Sequence, residues 1–274
     1  MREVAAGVAV STSRYWQTNS GLVRTEAGFV VVDGGVLPSE MRALATACDG
    51  SPIVVGISTH EHWDHLLWSP DLGVAVPRYA SSDAVDAAIT DRVALLRRLD
   101  REEEGWGVRW ERDLFARTVV HDLGTVDLGG APRLQLIALP GHSTGQVGVW
   151  VGGADVLFVG DTVSDIDPPA LPGDRESART YLETLRRTND LVGEAHVIVP
   201  GHGTPCDPAE ARRRLARDRR YLDVLLDSVD REPGSRDVHA VSARVASIVD
   251  DPRLDTAGGS RLHVENVADM LGAR

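Results

Sequence analysis

Cysteine is nearly missing from this chain. Cys48 and Cys206 are the only two among 274 residues, and a pair so far apart excludes a disulfide framework and suits a reducing compartment. Long apolar runs are missing too. No stretch approaches the ~20 residues of a membrane span, so no membrane partner is expected. The opening MREVAAGVAV carries a short apolar run broken by Gly7; it is read as the approach to a strand and not as a secretory leader, and a cytoplasmic protein is the expectation. Positive charge is also short. Lys plus Arg is 29 against 41 for Asp plus Glu, a formal net charge of −12. Such a surface repels phosphate backbones, which argues against a nucleic-acid partner and for a small-molecule substrate. The one dense basic run, Arg212, Arg213, Arg214, Arg217, Arg219 and Arg220, is read as a solvated helix face.

What is present is ordinary globular composition, 42% apolar and 26% charged, and a mixture of strand and helix patterns. Strands are predicted over 7–10, 20–24 and 29–32, then over 52–58, where a continuous apolar run implies burial on both faces. More follow over 118–121, 134–139, 147–151, 156–160 and 196–200. Helical spacing covers 39–48, 82–104 and 176–189. From Pro208 onward the pattern is helical at 209–229, 239–250 and 261–272, with a Gly258-Gly259 pair between the last two. GFVVVDGG (28–35) and DVLFVGDT (155–162) echo one another as apolar strands ending in an acidic turn. The echo suggests two packed sheets with helices outside.

Five of the nine His lie in three compact motifs, each closing a predicted strand. The first is His60-Glu61-His62-Trp63-Asp64-His65. Residues i and i+2 of an extended segment face the same way, so His60 and His62 can aim at one ion, and a turn after His62 frees Asp64 and His65 for a second. Pro140-Gly141-His142 and Pro200-Gly201-His202 present single imidazoles from tight turns, and Gly160-Asp161-Thr162 delivers one carboxylate from a strand end. A lone His after a strand is more often a surface residue, and a lone Asp before Thr a cap. The ordered combination demands several independent coincidences.

His-x-His-x-Asp-His followed by a lone His, Asp and His resembles the metallo-β-lactamase superfamily over roughly residues 7–203. The resemblance implies a four-layer αββα sandwich (1–207) with a helical C-terminal extension (208–274) packed on it. It implies one metal on His60, His62 and His142, a second on Asp64, His65 and His202, and Asp161 bridging both, with Asp64 and Asp161 as the catalytic carboxylates. Imidazole and carboxylate ligands without thiolate suit zinc first, with iron or manganese as alternatives. A water between two such ions loses a proton near neutral pH and can attack a carbonyl. Asp161 points to the hydrolase branch of thioesterases and lactonases, acting on an ester, thioester or lactone. Acyl-homoserine lactonases often carry Tyr three residues after the bridging Asp; Ser164 stands there. The alternatives are an oxidoreductase similar to persulfide dioxygenases, with one iron on His60, His142 and Asp161, and a phosphodiesterase of the same fold. Trp63, Trp68, Trp106 and Trp110 are pocket candidates, the last two as a lid. His263 and Asn266 are read as a packing pair, and Cys206 as non-catalytic.

Overall fold

The computed structural model describes residues 1–231 and 236–273. Two sheets form its centre. The first runs, in spatial and chain order, β1 (Arg2–Ala5), β2 (Val8–Thr12), β3 (Asn19–Thr25), β4 (Gly28–Val32), β5 (Ile53–Ile57), β6 (Arg78–Ala80) and β7 (Val119–Val120). Pairing is antiparallel from β1 to β4 and parallel from β4 to β7. The change comes where α1 (Pro38–Ala47) carries the chain across the sheet, as a parallel connection requires. The second sheet is ordered β12 (Val197–Val199), β11 (Val156–Phe158), β10 (Val147–Val151), β9 (Leu134–Ala138), β8 (Gly124–Val126).

The period-2 rule assigns the side chains. Val30 and Val32 of β4 turn inward with Val55 and Ile57 of β5 and meet Val147, Val149, Val156 and Phe158 of the other sheet. Phe29 and Val31 turn outward onto α1 and the aromatic segment around Trp63–Trp68 and Trp110. Leu157 and Ile198 turn outward onto α4 (Arg175–Val192), α5 (Pro208–Asp230), α6 (Val238–Val249) and α7 (Ala257–Met270). The result is four layers, helix–sheet–sheet–helix. The sheets approach closely at Gly21, where a Cβ would lie 2.4 Å from the Phe158 ring. No helix among the described residues is long and apolar enough to cross a membrane.

Several sequence expectations change. The helix expected over 82–104 is two, α2 (Ser82–Thr90) and α3 (Arg92–Trp106), because Asp91 at φ −94°, ψ 10° leaves the α-helical ψ and redirects the axis. Strands β1, β6 and β8, of three or four residues, are too short to show alternation. The Gly258-Gly259 pair lies inside the first turn of α7: Thr256 Oγ1 caps Gly259 N at 3.0 Å, and a Cβ on Gly259 would come 2.1 Å from the Arg253 carbonyl oxygen. Glycine there reflects close packing on the preceding turn and does not end a helix.

Candidate metal centre

All seven candidate ligands meet at one edge of the sandwich, where β5, β9, β11 and β12 end. His60 and His62 follow β5, and Asp64 and His65 lie in the single 3-10 turn 63–65 that follows. That turn frees Asp64 and His65 from the direction taken by His60 and His62. His142, Asp161 and His202 leave the ends of β9, β11 and β12.

Two adjoining groups result. His60, His62, His142 and Asp161 form one, and Asp64, His65 and His202 the other. In the first, His62 Nδ1 stands 3.1 Å from His60 Nε2 and 2.8 Å from His142 Nε2. In the second, Asp64 Oδ2, His65 Nε2 and His202 Nε2 are mutually 3.4 Å apart. Metal–nitrogen bonds of ~2.0–2.1 Å give a tetrahedral edge of roughly 3.3 Å. Asp161 touches both groups, with Oδ2 3.2 Å from both His142 Nε2 and His202 Nε2 and Oδ1 3.3 Å from His65 Nε2. Asp161 Oδ1 is buried without a hydrogen-bond partner. Ring nitrogens converging in this way cannot all pair with one another; a cation at their centre satisfies them together. The donors therefore fit a metal.

The far side of each ring agrees. Where Nε2 faces the cluster, Nδ1 meets an oxygen: Thr59 Oγ1 at 3.1 Å for His60, Asp33 Oδ2 at 3.0 Å for His65, the Ala170 carbonyl at 3.2 Å for His142 and the Trp16 carbonyl at 3.0 Å for His202. An Nδ1–H donated to the Thr59, Ala170 and Trp16 oxygens leaves the Nε2 lone pair of His60, His142 and His202 for metal, and the Asp33 carboxylate lies against His65 Nδ1 as a charge contact. Electrostatics point the same way. Burial first, then neighbouring imidazoles, hold His60 well below the usual histidine range and His62 down to about 3, so both stay neutral. Burial opposes charge on Asp161, but the imidazoles of His202, His65, His60 and His142 hold its carboxyl well below the usual range. Burial likewise opposes charge on His65 and His202. Asp64 and Asp161 raise both nonetheless, His202 to about 9. The two carboxylates thus draw positive charge onto the donors around them, a demand that a bound cation would meet.

Several residues of the site escape a reading based on motifs. Asp33, at φ 51° beyond β4, accepts from Thr59 N at 2.8 Å and Thr59 Oγ1 at 2.9 Å besides contacting His65. One carboxylate thus orients two of the rings. It was visible as the acidic end of GFVVVDGG, whose echo DVLFVGDT ends in Asp161. The His65 ring lies between these two echoed carboxylates. Tyr181 Oη donates to the Asp161 carbonyl at 2.9 Å. Asn266 Nδ2 donates to the Pro169 carbonyl at 2.7 Å, and its Oδ1 accepts from Leu171 N at 3.1 Å. Asn266 thereby brackets Ala170, the His142 partner; His263 packs behind it against Tyr221 at 3.0 Å.

The basic run of α5 is partly corrected. Arg214 is buried and donates to the Val163 and Thr204 carbonyls at 3.3 and 2.8 Å; Arg217 donates to Ser164 O at 3.0 Å. These two arginines hold the loop after Asp161 and are not a solvated face.

A cavity of about 700 Å³ opens on the cluster, lined by Trp16, Trp63, Leu95, Val163, Pro168 and Leu262 among others. Of the tryptophans expected there, Trp63 lines it. Trp68 and Trp110 are core, their indole N–H groups bonded to the Gly73 and Val36 carbonyls at 3.0 and 2.6 Å. Trp106 packs on Tyr15 at 4.6 Å, so the expected Trp106–Trp110 lid does not form. Trp16 lines the cavity as well, its backbone at φ 49° and its carbonyl on His202. The Cys206 thiol is pushed up to about 11 by burial.

Residues 14–202 match the family described as the metallo-beta-lactamase superfamily. The chain is 26% identical over 219 residues to the beta-lactamase-like protein 2 homolog of Caenorhabditis elegans, a match covering 76% of this chain and 65% of that protein. The chain thus spans just under two thirds of that relative. Its fold is similar to a beta-lactamase domain protein from Burkholderia ambifaria, at 21% identity and a TM-score of 0.67 over 97% of this chain and 86% of that one. It is also similar to TTHA1623, solved in a di-iron-bound form, at 24% identity and a TM-score of 0.54 over 75% and 98% of the chains.

Proposed function

The chain belongs to the metallo-β-lactamase superfamily, and on that footing we propose that it is a metal-dependent hydrolase of a small-molecule ester, thioester or lactone, holding two metal ions, zinc by preference. One ion would sit on His60, His62 and His142, the other on Asp64, His65 and His202, with Asp161 shared. The observation that carries this is the reach of the Asp161 carboxylate into both groups, Oδ2 standing between His142 of the first and His202 of the second and Oδ1 beside His65 of the second. A relative in fold was solved in a di-iron-bound form, which supports a two-ion reading and leaves the element open. Two cations there would lower the pKa of a shared water and polarise a carbonyl. The chain supplies the rest. Asp33 and Thr59 fix the ring planes of His60 and His65, the Trp16 and Ala170 carbonyls fix His202 and His142, and the apolar walls exclude water from the substrate.

The family match ends at residue 202, which supports a catalytic unit over 1–207 and an extension over 208–274. With a net charge of −12, a nucleic-acid substrate is disfavoured. Metal analysis coupled to a panel of lactones, thioesters, esters, β-lactams and phosphodiesters tests the reading. Two ions per chain with carbonyl hydrolysis is expected. One iron with oxygen consumption, or turnover confined to phosphodiesters, would refute it.

A further inference from the structure

Six carboxylates line the cavity: Asp64, Asp91, Asp161, Asp167, Asp218 and Glu265. Asp64 and Asp161 belong to the ligand cluster. Asp218 is paired with Arg253 at 2.8 Å, Glu265 faces Arg261 at 4.0 Å, and Asp91 is exposed at the rim. Asp167 differs from all five. It is half-buried, and no side chain or backbone group among the described residues pairs or hydrogen-bonds with its carboxylate.

Its placement is nevertheless rigid. Ser164 Oγ accepts from Ile166 N at 3.2 Å and from Asp167 N at 3.1 Å, closing a tight turn. Arg253 Nη1 donates to the Asp167 carbonyl at 2.7 Å and to Ser164 O at 3.1 Å. Pro168 and Pro169 follow, each with φ fixed by its ring. The chain therefore spends one serine, one buried arginine and two prolines on holding a carboxyl that bonds to nothing inside the protein. Burial raises the pKa of that carboxyl, as does Asp161, while His202, Arg253 and Arg261 lower it; the balance is upward. A carboxyl fixed in the wall of the reaction cavity, with no internal partner and with burial acting against its charged form, is placed to pass a proton to a bound substrate.

We propose that Asp167 is the acid that protonates the leaving group. The inference rests on the hydrolase reading above. Water adds through its oxygen to the substrate carbonyl carbon. The bond from that carbon to the leaving oxygen breaks, its electron pair stays on the leaving oxygen, and the Asp167 proton joins that oxygen. The proton shed by the attacking water restores Asp167. One ester and one water become one acid and one alcohol.

The step matters only when the leaving group is a poor one. An alkyl alcohol, with a pKa close to the ~15.7 of water, needs the proton; a phenol near ~10 hardly does. The test is the ratio of kcat/KM for an alkyl ester to that for the matched phenyl ester, measured on metal-loaded native enzyme, Asp167→Asn and Asp167→Glu. Metal content and Tm are read on each. The expected result is a fall in the alkyl-to-phenyl ratio of about 10²-fold in Asp167→Asn, partial recovery in Asp167→Glu, and native metal content in both. An unchanged ratio in Asp167→Asn, whether or not activity falls, would overturn the assignment. Native enzyme inactive on every ester, thioester and lactone would overturn the hydrolase reading, and this inference with it.

Discussion

Asp161 is the residue on which the two groups of donors depend. Its oxygens lie 3.2–3.3 Å from imidazoles of both, so Asp161→Ala removes the one ligand they share. The variant is expected to lose metal and nearly all turnover while staying folded, since burial raises the free energy of its charged form. Elemental analysis beside circular dichroism checks this; full metal content would rule out sharing. Asp33 acts one step back. Asp33→Asn keeps the volume but removes the charge that holds His65 and Thr59. A 10–100-fold loss of metal affinity is expected, read by competition with a chromogenic chelator. An unchanged affinity would mean that Asp33 serves only the turn.

Elements carry the site through their ends. Two of the ligand loops leave strands whose pleat buries apolar side chains on both faces, so the strands are fixed by packing and the loops inherit that precision. Packing at the sheet contact is tight enough that Gly21→Val should destabilise by about 1–3 kcal/mol, because added carbons enter the Phe158 ring. Gly105 in α3 has nothing within 4 Å of a Cβ, and Gly105→Ala should stabilise by about 0.5–1 kcal/mol. Urea titration of the pair checks both signs. A third case is Arg253, buried between Asp218 at 2.8 Å and Asp251 at 2.6 Å. Arg253→Met should cost about 3–5 kcal/mol, because it leaves buried carboxylates without a partner. A loss under 1 kcal/mol in the same titration would show those carboxylates to be solvated or protonated.

Across the whole molecule, legibility followed the range of the interaction. The His60–His65 motif, the two Pro-Gly-His turns and the strand carrying Asp161 depend on neighbours in the chain, and their chemistry stands in the sequence. The layered fold was legible for the same reason: β4, β5 and β10 stand out as apolar runs of strand length, and α4 by its helical spacing. What stayed hidden joins distant segments. Asp33 reaches Thr59 and His65 across the sheet, Trp16 reaches His202 over 186 positions, and Asn266 reaches Pro169 over 97. Arg214 reads as one more surface arginine until α5 packs on the loop after Asp161. The acidic echo was the single local trace of this second layer. Trp106 and Trp110 misled because large aromatics suit a pocket and a core equally well.

The central claim is that seven side chains from four loops hold two ions that act together. Titration of chelator-stripped protein with zinc, following hydrolysis of a responsive substrate and bound metal in the same samples, tests it most directly. Activity is predicted to be negligible in the stripped protein and to rise until two equivalents are bound. Full activity at one equivalent, or activity that survives complete removal of metal, would contradict it.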